Sequence, residues 1–387
     1  MRILIGADVR PDPNAGASGT VYQMNAALRR MGHEVDEIWQ PDMGRRIRHG
    51  NLHYLLELPW KYRRAVRQKI RSGPYDVIEL NQPHAYLAAA DHRRCGRPGV
   101  FVNRSHGHEV RSEEALSPWR RKTGAAQKRG LSRAVSAVIR MLLNRQWDLI
   151  AKTADGFLVS CREDANFLAD RYGVPRPRIG VITQGVPDAH HENAPGAFTA
   201  DRLTRLLYVG QLAFFKAPMM LAQAVSMVLR ERPGATMTWV CSRKHHAEAR
   251  WLLDEDVRSR VAFLDWMTQE ELIGVLDRHG VFLFPSFFEG FGKAPLEAMA
   301  RGLCVVASAT GGMRDFIEDG VSGRLVPVGQ PQVMAAAVVE LMDDLDRCRR
   351  MSAAARSTAV THTWDRCARD ATQFYESLIR GKAEQHG

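Results

Sequence analysis

The sequence lacks several features that would assign it quickly. Its 387 residues hold only six cysteines (Cys95, Cys161, Cys241, Cys304, Cys348 and Cys367), with no paired spacing. That excludes a zinc ribbon, a Cys-x-x-Cys redox couple and a disulfide scaffold, and it suits buried thiols in a reducing cytosol. No apolar run approaches the about 20 residues of a membrane-spanning helix. The opening MRILIGADVRP is too short in apolar residues for a secretory signal and has no small-residue cleavage site, so it reads as a first strand. The first loop, DPNAGASG, is not Gly-x-Gly-x-x-Gly, and no acidic residue follows where a ribose contact of that fingerprint belongs. No recognisable nucleic-acid motif occurs, so no nucleic-acid partner is expected.

What is present is an ordinary globular composition, 45% hydrophobic and 25% charged, in a chain long enough for two or three domains. The net charge of +11 is unevenly placed: residues 1–186 carry 31 Lys and Arg against 18 Asp and Glu, the remainder 23 against 25. Such asymmetry points to two domains, the first meeting an anionic partner.

Strand-like and helix-like patterns alternate along the chain. Residues 2–9, a loop, a helix from Thr20 to Met31 and a strand from His33 to Trp39 make one βαβ unit, and further units follow to residue 183. Two basic stretches interrupt them. Arg45 to Arg71 interleaves Arg63, Arg64 and Arg67 with Leu56, Leu58 and Trp60. Trp119 to Arg145 carries Arg120, Arg121, Lys122 and Arg129, and its apolar residues, among them Val135, Val138 and Leu142, have helical spacing. Basic amphipathic segments flanked by aromatics suit an anionic membrane surface or anionic acceptor. Residues 187–200 read as a linker, with His190 and His191 solvated. Residues 201–361 restart the alternation, and residues 362–387 read as a terminal helix. The expected fold class is α/β, two doubly wound parallel sheets facing across a cleft. Asp254, Glu255 and Asp256 read as surface charge at a helix end, not as a metal motif.

Val281 to Ala300, VFLFPSFFEGFGKAPLEAMA, is the most informative stretch. An apolar strand runs into a loop holding Glu289, Gly290 and Gly292, and a helix opens near Lys293 with Glu297 on it. Glycines let backbone N–H groups approach a ligand at the positive end of a helix, and two carboxylates can hold hydroxyls on either side. Lys216, after an earlier strand, adds a cation suited to a diphosphate.

EGFGKAPLE resembles the EX7E motif of the retaining GT-B glycosyltransferases, most closely glycosyltransferase family 4. YVGQLAFFKAP is similar to that family's phosphate loop, VFVNRSHGHE to the strand ending in an active-site histidine, and THTWDRCA to the helix that crosses back to the first domain. The resemblance implies Glu297 on the nucleotide ribose and Glu289 near the donor sugar. It also implies the Phe291 and Gly292 amides on sugar or diphosphate, Lys216 on the diphosphate and His106 on the donor sugar, with Gly16 and Gly19 letting the first loop approach. His108 and Glu109 are expected to form a polar cluster with His106. Three positions depart from the pattern: Gln211 replaces a phosphate-binding arginine, and Ala217 and the Asp265-Trp266 pair replace glycines. The implied activity is retaining transfer of a hexose-type sugar from a nucleotide diphosphate sugar, such as a UDP- or GDP-sugar, to a lipid-linked or saccharide acceptor in polysaccharide or cell-envelope assembly. No metal or other cofactor is expected, and the location is cytoplasmic, peripheral on the inner face of the membrane. An epimerase or a weakened binding protein on the same architecture is the rival reading.

Overall fold

The computed structural model describes residues 1–13, 16–124, 131–193 and 195–384. The chain divides into two compact units, Met1–Glu114 with Arg120–Gln184 and Trp364–Gly387, and Ala115–Trp119 with Gly185–Thr363.

In the first unit, β1 (Arg2–Gly6), β2 (Glu34–Ile38), β3 (Val77–Asn81), β4 (Val100–Ser105), β5 (Gly156–Val159) and β6 (Ile179–Val181) form one parallel sheet, ordered β2-β1-β3-β4-β5-β6. Every position of β3, β4 and β5 is buried, as in a parallel sheet covered on both faces. The helices Gly16–Arg30 and Trp364–Glu384 cover one face through Val21, Met24, Trp364 and Ala371. Leu58–Ile70, Tyr86–Arg94 and Leu131–Thr153 cover the other through Tyr62, Ala89, Trp147 and Ile150. The terminal helix therefore packs with the first unit. It is fixed there by Tyr375, whose hydroxyl donates to the buried Glu79 carboxylate, which Arg104 grips at 2.5 and 3.1 Å.

The second unit repeats the architecture with β7 (Arg205–Val209), β8 (Thr236–Val240), β9 (Val261–Leu264), β10 (Val281–Phe284), β11 (Cys304–Ser308) and β12 (Arg324–Val326), all parallel, ordered β12-β11-β10-β7-β8-β9. The helices Pro218–Glu231, Lys293–Ala300, Pro331–Met342 and Leu345–Val360 enclose one apolar core with the sheet. Each sheet has a point where successive connections leave in opposite directions, β1/β3 in the first and β7/β10 in the second. Loops at the carboxyl ends of such strands form the natural ligand crevice.

Residues 187–200 depart from the expected linker. Asp188–His190 is a helical turn, His190 is fully buried, and the stretch belongs to the second unit. Arg301 pins it by donating to the carbonyls of His190, Glu192 and Asn193 at 2.9–3.0 Å while pairing with Asp277 at 2.8 Å. A polar sequence can be held by a distant arginine, which composition does not reveal. Asp254, Glu255 and Asp256 are exposed, and Arg230 pairs with Asp254 and Asp256 at 2.7 and 2.8 Å.

Candidate active site

At the β7/β10 point, three loops meet. The first follows β7 through Gly210 and Gln211 to the turn Phe214–Lys216, and then to Ala217, which takes a left-handed conformation (φ 53°, ψ 52°) before the next helix. The second follows β10 from Pro285 to Gly292. The N–H of Phe287 donates to the carbonyl of Phe215 at 2.8 Å, so the two loops are stitched together. The third, at the end of β11, lies so close that a side chain on Gly311 would strike the carbonyl of Glu289 at 2.3 Å. Gly312 closes the arrangement by donating its N–H to the carbonyl of Gly290 at 3.2 Å. Gly292, at φ 98°, turns the chain into the helix Lys293–Ala300.

This stitching brings together side chains 73 residues apart. Lys216 Nζ donates to Glu289 Oε1 at 2.6 Å, and the hydroxyl of the fully buried Ser286 donates to the same oxygen at 2.8 Å. The ammonium also sits 4.6 Å from the Phe284 ring centroid, a cation–π contact. Eight residues beyond Glu289, the buried Glu297 receives Lys293 at 3.4 Å. Two Lys–Glu pairs thus flank a helix N-terminus and a glycine loop. Such a site can release an ammonium to an incoming anion while its carboxylates accept from hydroxyls. Gln211 is exposed and neutral, and its carbonyl accepts from Tyr208. Asp265 accepts from the N–H groups of Arg243 and Trp266 at 3.0 and 2.8 Å, which lowers its carboxyl pKa. Phe291 is buried against Phe316, so its ring is core and only its backbone faces the loop.

In the first unit, His106 follows β4, and its Nε2 lies 3.1 Å from the Asn81 amide nitrogen at the end of β3. Burial, and then the charge of Arg104, push its pKa down to about 3. The ring is therefore neutral near pH 7 and shares one hydrogen bond with the Asn81 side chain through Nε2. Asn81 was not singled out from the sequence; a polar residue closing the apolar run VIELN was the available signal. His108 does not join this cluster. Its ring is fully buried between Trp147 (3.8 Å) and Tyr172 (5.5 Å), and both nitrogens lack hydrogen bonds. Glu109 instead accepts from the Trp147 indole at 2.9 Å. Gly16 opens the first helix, and Gly19 packs where a Cβ would lie 2.6 Å from the carbonyl of Pro13. A second polar group stands after β1, where Nε2 of the buried His53 faces Asp8 at 3.3 Å and its Nδ1 faces Glu57 at 2.9 Å. The sequence reading missed it because its members are 45 residues apart.

The basic stretches are less free than expected. Arg63 and Arg67 pair with Asp91 at 3.2 and 2.5 Å, and Arg120 pairs with Glu113 at 2.6 Å. Charge counted along the chain overlooked these internal partners. Arg64, Arg121 and Lys122 are exposed, and Arg129 lies outside the described residues. Among the described residues, no group of three or more His, Cys, Asp and Glu side chains is placed to hold a metal ion.

With this geometry in view, two family models match the chain: "Glycosyltransferase Family 4" over residues 15–190 and "Glycosyl transferases group 1" over residues 204–344. The chain thus carries a glycosyltransferase family 4 domain followed by a glycosyl transferases group 1 domain. It is 28% identical to D-inositol 3-phosphate glycosyltransferase of Nocardia farcinica over 59% of this chain and 54% of that protein. The match thus spans little more than half that relative's length. Sucrose-phosphate synthase of Thermosynechococcus elongatus superimposes with TM-score 0.76 at 21% identity, covering 98% of this chain and 99% of that one. HepE of Anabaena in complex with UDP does so with TM-score 0.69 at 18% identity, covering 97% and 100%. The glycosyltransferase domains therefore have the GT-B fold, and the Lys216–Glu289 pair lies in the segment matched by the group 1 model.

Proposed function

We propose that the protein transfers a sugar, with retention at the anomeric carbon, from a nucleotide diphosphate sugar to a lipid-linked or saccharide acceptor. The observation that carries this reading is the Lys216–Glu289 pair, held at 2.6 Å beside a glycine loop and a helix N-terminus at the β7/β10 point. In this reading Glu297 holds the ribose hydroxyls and Glu289 those of the donor sugar. Lys216 swings to the diphosphate with the Phe291 and Gly292 amides, and the charge developing on the leaving diphosphate is held by these preorganised donors. No carboxylate is assigned as nucleophile. The acceptor hydroxyl attacks from the face the leaving group departs, and the departing phosphate takes its proton.

The relative in complex with UDP makes a UDP-sugar the first donor to test. The relatives named for inositol 3-phosphate, with the basic charge of residues 1–186, favour an anionic or phosphorylated acceptor. A place in cell-envelope or polysaccharide assembly on the inner face of the membrane belongs to the same proposal, as does turnover without metal. A panel of UDP-, GDP- and ADP-sugars, with and without EDTA, read by mass spectrometry for hydrolysis or transfer, tests the donor class and the turnover without metal. No turnover with any donor, despite nucleotide binding, would favour a binding protein weakened by Gln211.

A further inference from the structure

The helix Leu131–Thr153 turns Trp147 and Ile150 into the core of the first unit, yet its outer side is not polar. Val135, Val138, Met141, Leu142 and Leu149 are 38–62% exposed. At 3.6 residues per turn these five fall within an arc of about 120° on one side of the helix. Arg145 and Lys152 fall in the same arc. Both are exposed, and among the described residues neither has an ion-pair partner. Beside the stripe runs a groove of about 900 Å³, lined by Arg145, Lys152, Arg171 from the neighbouring helix and Arg140, which is paired with Glu113, with Asp148 as the one carboxylate among its lining residues. The segment His53–Glu57 and the start of the following helix, on elements packed near this one, expose Leu56 at 62% and Trp60 at 58%.

Five large aliphatic side chains on one exposed helical face exceed the scattered apolar residues of a typical surface. An apolar stripe with long cationic side chains set among its residues matches an interface whose outer layer is anionic and whose inner layer is hydrocarbon. A protein partner or second copy would satisfy the apolar stripe but gives no reason for the excess of unpaired cations along it. We infer that this face docks on an anionic lipid bilayer, with Val135, Val138, Leu142 and Leu149 entering between headgroups and Arg145, Lys152 and Arg171 holding lipid phosphates. The inference rests on the proposed use of a lipid-linked acceptor only for its purpose. It relocates the membrane-facing charge from Arg63, Arg67 and Arg120, which are paired internally, to a different set of residues.

The test is sedimentation of the full chain with phosphatidylcholine vesicles and with vesicles in which about a third of the lipid is phosphatidylglycerol, without nucleotide sugar. The protein should bind the anionic vesicles at least ten-fold more strongly, and added salt should weaken that binding. Leu142→Asp and the double variant Arg145→Glu/Lys152→Glu, each at exposed positions, should each cost ten-fold or more on anionic vesicles with an unchanged melting temperature. Binding by the variants equal to that of the parent overturns the inference, as does equal affinity for both vesicle types. A concentration-dependent dimer in light scattering that Leu142→Asp abolishes, without vesicle binding, would give the face to a second copy and overturn it too. Because no donor is present, failure here leaves the glycosyl-transfer reading standing, and failed transfer by a vesicle-binding protein would count against that reading alone.

Discussion

The two switch points of this chain are built alike and furnished differently. Around β7/β10, charged side chains sit on loops and a helix start, with Lys216 on Glu289 and Lys293 on Glu297, and glycines draw the backbone in. Around β1/β3 and the adjoining β4, the polar groups are mostly uncharged or bound inward. They include a neutral His106 on Asn81, a buried Glu79–Arg104–Tyr375 network and a His53 held between two carboxylates. One end is arranged to grip an anion. The other is arranged to hold strands and helices in place while presenting weak hydrogen-bonding groups. On the proposed reading, the first kind of site suits a donor that carries a diphosphate, and the second an acceptor offering a hydroxyl.

The comparison breaks most readily at Glu289. Glu289→Ala should lower transfer by at least ~10²-fold, the scale of losing a preorganised charge partner, with an unchanged circular dichroism spectrum. Retained turnover would remove the site assignment. Next in size is a stability effect confined to the first unit. Arg104→Met strands Glu79 in the core and should cost about 3–5 kcal/mol in urea unfolding, whereas Glu79→Leu/Arg104→Met should recover most of it. If the single variant is as stable as the parent, the network does not hold the terminal helix. Glu297→Gln should weaken nucleotide-sugar binding about ten-fold by calorimetry, and an unchanged dissociation constant would refute its ribose role.

A further effect is read against pH. Burial pushes His108 down to about 3, so the folded protein cannot take up the proton that the unfolded chain binds below about 6.5. Its stabilising contribution is complete above that pH and lost as pH falls toward 3, by about 1.4 kcal/mol per unit. His108→Phe, which keeps the aromatic stack, should flatten the acid limb of the stability curve by that slope. An unaltered limb would mean His108 is protonated in the fold. Smallest is Ala217→Gly, which should stabilise by about 1 kcal/mol by relieving a left-handed alanine, read as a shift in the urea midpoint.

Legibility followed the same division. The 281–300 stretch could be read because its strand, glycine turn and helix are consecutive: β10 begins and ends as expected, and the helix starts at Lys293. The alternation of apolar runs and helical spacing marked the strands of both sheets, although the first, read as residues 2–9, ends three residues earlier at Gly6. Composition failed where a partner came from far along the chain. Residues 187–200 look like a linker until Arg301 is seen to hold them, and Arg63, Arg67 and Arg120 look free until Asp91 and Glu113 are placed. His108 looked like a site residue because it sits two positions from His106, but after a strand the chain turns and neighbouring side chains part company.

The sequence by itself determined the two α/β sheets, the glycine-loop glutamates and the excess positive charge of the first half, because periodicity, turn residues and net charge are local or additive properties. Only the tertiary structure decided which charges meet. Lys216 reaches Glu289 because two parallel strands distant in sequence lie side by side, and the same packing binds some arginines inward while leaving Arg145 and Lys152 beside an exposed aliphatic stripe. Pairing depends on distances in space, and distance in space is what a linear reading does not contain.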